Sequence, residues 1–317
     1  METKLILVEG NPFTGKSTLS EHITQQLALN GHTAEWVSEG AMFDQHFPQS
    51  IAVMDAGEPI SDELLWSEWT AFVETVERSP AIFVVDAAVS YAAVYPLLID
   101  DHPPAAIDGL VRRVGELLAP LRPRMIYLRG DQDQLARASI AARGERWEKQ
   151  MIDQSDSTRY QQARGRSGLE AAIALAEESQ DLMDVVLDKA GWPMLTLDVT
   201  GPGVDREANR RAALDFLRIP EVAVETAALS EPLSAYAGTY VEDDPAAPMG
   251  PLEVRIEGDE LVIFTAGQRF APLVPVSGTR LHLRGNPIDV DFEVEDGRAT
   301  RVVLVFPNGR TRAHHRA

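Results

Sequence analysis

The chain has no cysteine, which excludes disulfides, thiolate metal sites and cysteine nucleophiles. Positive charge is scarce: 29 Lys and Arg stand against 49 Asp and Glu, a formal net charge of −20. A field of that sign repels nucleic acid and anionic membranes, so neither is expected as a general partner. A polyanionic ligand would need a local cluster of positive groups. No apolar run approaches the ~20 residues of a membrane span. The opening Met1-Glu2-Thr3-Lys4 and the short apolar run that closes at Glu9 lack the length and flanks of a signal peptide. A cytoplasmic protein is expected. The seven histidines show no metal-ligand spacing, and neither G-x-S-x-G nor H-E-x-x-H occurs.

What is present is globular: 317 residues, 44% hydrophobic and 25% charged, enough for two domains with full cores. Short apolar runs at residues 5–8, 34–37, 81–85, 125–128 and 194–199 read as five buried strands. Helical patterns separate them at residues 16–29, 61–76, 105–118, 131–142, 167–191 and 206–217. Ser167 and Glu170 match a capping box for the fifth of these, and an arginine-rich polar segment precedes it. Continuous apolar strands alternating with helices predict a parallel five-stranded sheet covered on both faces, over residues 1–219. Residues 220–233 read as a linker. From residue 234 to 317 the period is two, with turn signals at Gly258-Asp259, Asp296-Gly297 and Asn308-Gly309. That stretch predicts a small antiparallel all-β domain.

The first strand leads into Gly10-Asn11-Pro12-Phe13-Thr14-Gly15-Lys16-Ser17, with Thr18 next, a full G-x-x-x-x-G-K-[ST] phosphate loop opening a helix. Its backbone amides converge with the positive end of the helix dipole. Lys16 is placed to reach the β- and γ-phosphates of ATP, and Ser17 to bind Mg²⁺. Asp86 closes the third strand, where a carboxylate holds Mg²⁺ through water, accepts a substrate proton, or caps the next helix. Glu39 closes the second strand, a place for a general base, an acceptor ligand or an ordinary loop acid. Arg137, Arg143 and Arg146, followed by Arg159, Arg164 and Arg166, cluster in an otherwise acidic chain. Arginines there neutralise a transferring phosphoryl group or pair with acids on a helix surface. Trp66 and Trp69 suit a helix core better than base stacking.

With these residues in place, residues 1–219 resemble the P-loop nucleoside/nucleotide kinases, the thymidylate-kinase-like branch in particular. The likeness rests on Glu9-Gly10…Gly15-Lys16-Ser17-Thr18, on Glu39 and Asp86 at their strand ends, and on Pro123-Arg124-Met125-Ile126-Tyr127-Leu128 followed by the arginine series. It implies a mobile arginine-rich lid, Arg137 against adenine, Arg143 and Arg146 on the transferring phosphate, and a strand-end carboxylate as base. Two departures, Asp86-Ala87-Ala88 without an arginine and a second strand end without one, favour a non-phosphorylated hydroxyl acceptor. The C-terminal stretch resembles, through Tyr236-Ala237-Gly238-Thr239-Tyr240 and Gly258-Asp259-Glu260-Leu261, a small lipocalin-like module appended to some serine hydrolases. It implies packing or homodimerisation rather than activity.

The expected function is therefore ATP-dependent phosphotransfer to a small-molecule hydroxyl. The alternative is a nucleotide-binding regulator or scaffold with weak ATPase activity. A GTPase switch is disfavoured, since no Asn-Lys-x-Asp signature is present.

Overall fold

The computed structural model describes residues 2–224, 227–243 and 250–317. The chain divides into two compact units, one built from Met1–Ala141 and Glu145–Val222, the other centred on Ala223–Ala317. In the first, strands β1 (Leu5–Glu9), β2 (Ala34–Val37), β3 (Ile82–Asp86), β4 (Arg124–Arg129) and β5 (Met194–Asp198) form a parallel sheet in the order β2-β3-β1-β4-β5. Leu5, Leu7, Phe83, Val85 and Met125 enter one core, while Ile6, Val8, Val84, Ile126 and Leu128 enter another. Alternate side chains thus find apolar partners on both faces, which is why these strands read as unbroken apolar runs.

The helices of this unit are α1 (Lys16–Leu29), α2 (Glu39–Ala41), α3 (Pro48–Asp55), α4 (Asp62–Arg78), α5 (Tyr95–Ile99), α6 (Pro104–Leu118), α7 (Gln132–Arg143), α8 (Glu145–Asp156), α9 (Arg159–Arg164), α10 (Leu169–Ala190) and α11 (Arg206–Leu217). Two π-helical turns, Met42–His46 and Ser90–Val94, lead into α3 and α5. α4 starts as its sequence predicts: Ser61 Oγ accepts the Leu64 N–H at 3.2 Å, and Asp62 and Glu63 complement the dipole. Leu65, Trp69, Phe72, Val73 and Val76 are buried along its inner face, and Trp69 Nε1 donates to Ala92 O at 2.8 Å.

The arginine-rich stretch folds into α8 and α9. One local reading is corrected. The capping box at Ser167 does not form. Gly168, at φ 86°, is the N-cap of α10 with no side-chain hydrogen bond, and Glu170 pairs with Arg137 instead. The ion pair and the left-handed glycine draw that turn away from box geometry.

From β1 the chain crosses to β2 on one side, whereas from β3 it crosses over β1 to β4 on the other. Connections that diverge in this way open a crevice at the carboxyl ends of the adjacent strands β1 and β3. The end of the unit is tied back to α1: Gln26 Nε2 donates to Val222 O at 2.9 Å, and the Val222 N–H donates to Gln26 Oε1 at 2.7 Å. Glu225 and Thr226 of the expected linker lie outside the described residues.

In the second unit a short helix α12 (Leu233–Tyr236) precedes β6 (Gly238–Glu242), β7 (Leu252–Glu257), β8 (Glu260–Thr265), β9 (Gln268–Pro275), β10 (Arg280–Leu283), β11 (Asp289–Glu295), β12 (Arg298–Val305) and β13 (Thr311–Arg316). These antiparallel strands close into an eight-stranded barrel, sealed where β13 pairs with β6 and β9 with β10. Asp296 at φ 49° and Gly297 at φ 72° make the tight β11–β12 turn that the dipeptide signals. Alternating residues such as Val254, Leu261, Leu281, Phe292 and Val302 fill the core, and closure leaves no free sheet edge. Among the described residues no helix is long and apolar enough to cross a membrane.

Candidate phosphate-binding and acceptor site

The loop between β1 and α1 is shaped by its glycines and by one strained residue. Gly10 has φ 141°, and a Cβ there would lie 2.5 Å from Leu128 O, so only glycine lets the loop cross β4. Phe13 at φ 71° and Gly15 at φ 93° complete the curl. Thr14 Oγ1 donates to Asn11 O at 2.8 Å, and Lys16 Nζ donates to the same carbonyl at 3.0 Å. Asn11 Nδ2 in turn donates to Ala176 O at 2.6 Å, fastening the loop to α10. Pro12 lies exposed at the tip, and Ser17 and Thr18 are half-buried in the first turn of α1. That helix starts at Gly15 with no side-chain cap and no acid in its first turn. Its amides are therefore left for an anion.

Asp86 stands beside this loop, since the β1–β3 register pairs it with Val8. It is fully buried and neither carboxylate oxygen has a hydrogen-bond partner. Burial pushes its carboxyl up to about 6; the Ser20 and Ser17 hydroxyls and the Lys16 charge lower it, and Glu39 raises it. The two hydroxyls face Asp86 without completing a hydrogen bond of ordinary geometry, and Ser20 Oγ is itself unpartnered. Unsatisfied buried carboxylate oxygens are costly unless something else occupies them. Asp86 and Ser17 fit a Mg²⁺ ion held partly by water and phosphate oxygens. No cluster of three or more His, Asp or Glu able to hold a metal occurs among the described residues, so the protein would supply only part of the shell.

Glu9, one strand end away, is already spoken for. It accepts the Val89 N–H at 2.8 Å, the Ser90 N–H at 3.0 Å and the Ser90 hydroxyl at 2.7 Å. Its carboxyl is raised by burial, an effect these three bonds and Lys16 oppose. The anchor holds the turn after Asp86, where Ala87 takes φ 54° while its N–H still donates to Val8 O at 2.9 Å.

Glu39 opens α2, with Ser38 Oγ accepting the Ala41 N–H at 3.3 Å. Phe43 follows on the first π turn and Tyr91 on the second, their ring centroids 5.8 Å apart; the Tyr91 and Tyr95 rings lie at 5.5 Å. Lys16 Nζ is 5.6 Å from the Tyr91 centroid. Burial first, then Glu39, then Tyr95 hold the Tyr91 phenol well above its ordinary range. Lys16, Asp86, Glu39 and these rings are thus brought together.

The arginines are not gathered in the same way. Arg137 is exposed and bound to Asp133 at 2.7 Å and Glu170 at 2.8 Å, rather than offering a free face to adenine. Arg159 pairs with Asp100, Arg164 with Asp101 at 2.6 Å, and Arg166 with Glu178 at 3.0 Å. Arg143 is half-buried at the end of α7, where burial lowers its guanidinium pKa, and Arg146 is exposed near the start of α8. α8 meets the glycine-rich loop through Trp147, whose ring packs edge-on to Phe13 at 5.5 Å.

The roles of Glu9, Ser20, Phe43, Tyr91 and Tyr95 escape sequence reasoning. The one local hint is Tyr91 and Tyr95 at a spacing of four just after Asp86, which places two rings on one helical face. Comparison with protein-family models and with curated proteins finds no match to the chain.

Proposed function

We propose that the chain is an ATP-dependent phosphotransferase that moves the γ-phosphoryl group to a hydroxyl of a small, non-phosphorylated molecule. One observation carries this reading: a buried carboxylate with both oxygens unsatisfied, Asp86, adjoins an uncapped helix start bearing Lys16 and Ser17. A structural carboxylate in that position would be hydrogen-bonded, as Glu9 is. In the proposed reaction the backbone amides of residues 13–18 bind the β- and γ-phosphates, and Lys16 exchanges the Asn11 carbonyl for phosphate oxygens. Mg²⁺, when bound, neutralises charge on those oxygens. Asp86 and Ser17 hold its place, and Glu39, on the acceptor side, takes the hydroxyl proton. Calorimetry with ATP and Mg²⁺, followed by assay of ADP release across a panel of alcohols, tests the reading. ATP binding with acceptor-dependent ADP release is expected; no heat with any purine triphosphate sinks it.

A second reading is a nucleotide-responsive regulator. It is favoured by the ion pairing of Arg137, Arg159, Arg164 and Arg166, which leaves few lid charges for a transition state. Tight ATP binding without acceptor-dependent turnover distinguishes it.

A further inference from the structure

Phe43, Tyr91 and Tyr95 form a continuous aromatic surface on the acceptor side, and each is partly open to solvent. Their neighbours Met42, Phe47, Ala92, Ala93 and Val94 are buried. The backbone accounts for the difference. Phe47 N–H donates to Met42 O at 3.0 Å and Tyr95 N–H to Ser90 O, the five-residue spacing of a π turn. One added residue per turn rotates Phe43 and Tyr91 off the buried stripe, and such turns recur at functional sites.

The Glu39 carboxylate makes no hydrogen bond or ion pair among the described residues, and its charge reaches Asp86, Tyr91 and Tyr95. Lys16 lies near one of them, its ammonium 5.6 Å from the Tyr91 ring centroid. When a triphosphate draws that ammonium to its own oxygens, Tyr91 loses this positive partner. Ring faces are negative, and aromatic surfaces beside a carboxylate suit organic ammonium ions.

We propose that the acceptor is an amino alcohol, its ammonium resting on the Phe43, Tyr91 and Tyr95 rings and its hydroxyl facing Glu39. The inference rests on the phosphotransferase reading and names its substrate class. The acceptor oxygen forms a bond to the γ-phosphorus while the bridging bond to ADP breaks. The hydroxyl proton passes to Glu39 and then to water, so that ATP and the alcohol become ADP, a phosphate monoester and a proton.

The test is calorimetric titration of the full chain, with Mg²⁺ and a non-hydrolysable ATP analogue present. The probes are choline, its uncharged isostere 3,3-dimethylbutan-1-ol, and thymidine as a planar neutral alcohol. Choline is expected to bind about tenfold more tightly than the isostere. Tyr91→Leu should erase that preference and Tyr91→Phe, which keeps the ring face, should retain it. Equal affinity for choline and the isostere, or tighter binding of thymidine, overturns the inference while the ATP reading stands. Choline binding to a chain that shows no heat with the ATP analogue supports the cation site and overturns phosphotransfer.

Discussion

Asp86 and Glu9 end adjacent buried strands, yet only Glu9 is hydrogen-bonded, and that difference has a pH signature. The carboxyl of Asp86 titrates at about 6 in the folded chain against an ordinary 3.8. Between those values the folded state holds more protons than the unfolded state, so stability falls as pH rises through the window. The gap corresponds to ~3 kcal/mol, complete above about 6. Asp86→Asn is expected to match the parent near pH 4 and to exceed it in denaturant stability by up to ~3 kcal/mol at pH 7. Adding Mg²⁺ with ATP should close that difference at pH 7; an identical gap at both pH values would contradict the assignment. Lys16→Ala should lower kcat at least ~10²-fold, since it removes the fixed positive charge nearest the migrating group. Steady-state ADP release checks this, and near-normal turnover would end the mechanism.

At the scale of elements, α8 touches the glycine-rich loop through the aromatic pair of Trp147 and Phe13, a contact worth ~1 kcal/mol. Trp147→Ala should raise hydrogen exchange across α8 more than across β1 or β3, and raise the KM for ATP more than it lowers kcat. Uniform exchange along the chain would show that α8 is held by other contacts. The elements themselves were largely legible. Residues 82–85 and 125–128 announce buried strands because both of their faces are covered, and Ser61 announces α4 because its cap bond is local. The Ser167 box was misleading because Glu170 finds Arg137, a residue 33 positions away, outside any local pattern. The π turns at residues 42–46 and 90–94 were likewise unreadable, since an extra residue in a turn is tolerated only where distant packing supports it, as the Glu9 anchor does at Ser90.

At the scale of the whole molecule, residues 10–18, Glu39 and Asp86 all belong to the first unit. A chain ending at residue 224 is therefore expected to bind ATP and Mg²⁺ with unchanged affinity in calorimetry. Ending it at 219 instead removes both hydrogen bonds between Gln26 and Val222. At ~1 kcal/mol each, their loss should lower Tm by about 4–8 °C. Equal Tm values for the two truncations would show that the clamp carries no stability.

The sequence alone determined the glycine-rich loop after the first strand, the parallel sheet and the antiparallel second unit, because each is written in neighbouring residues: glycine spacing, unbroken apolar runs, period-two alternation. Only the tertiary structure decided which strand-end carboxylate is left unsatisfied, that Arg137, Arg159, Arg164 and Arg166 are paired with acids, and that three rings line up near Glu39. These depend on what distant segments bring into contact. Asp86 and Glu9 look alike along the chain and differ only because Val89 and Ser90 fold back onto one of them.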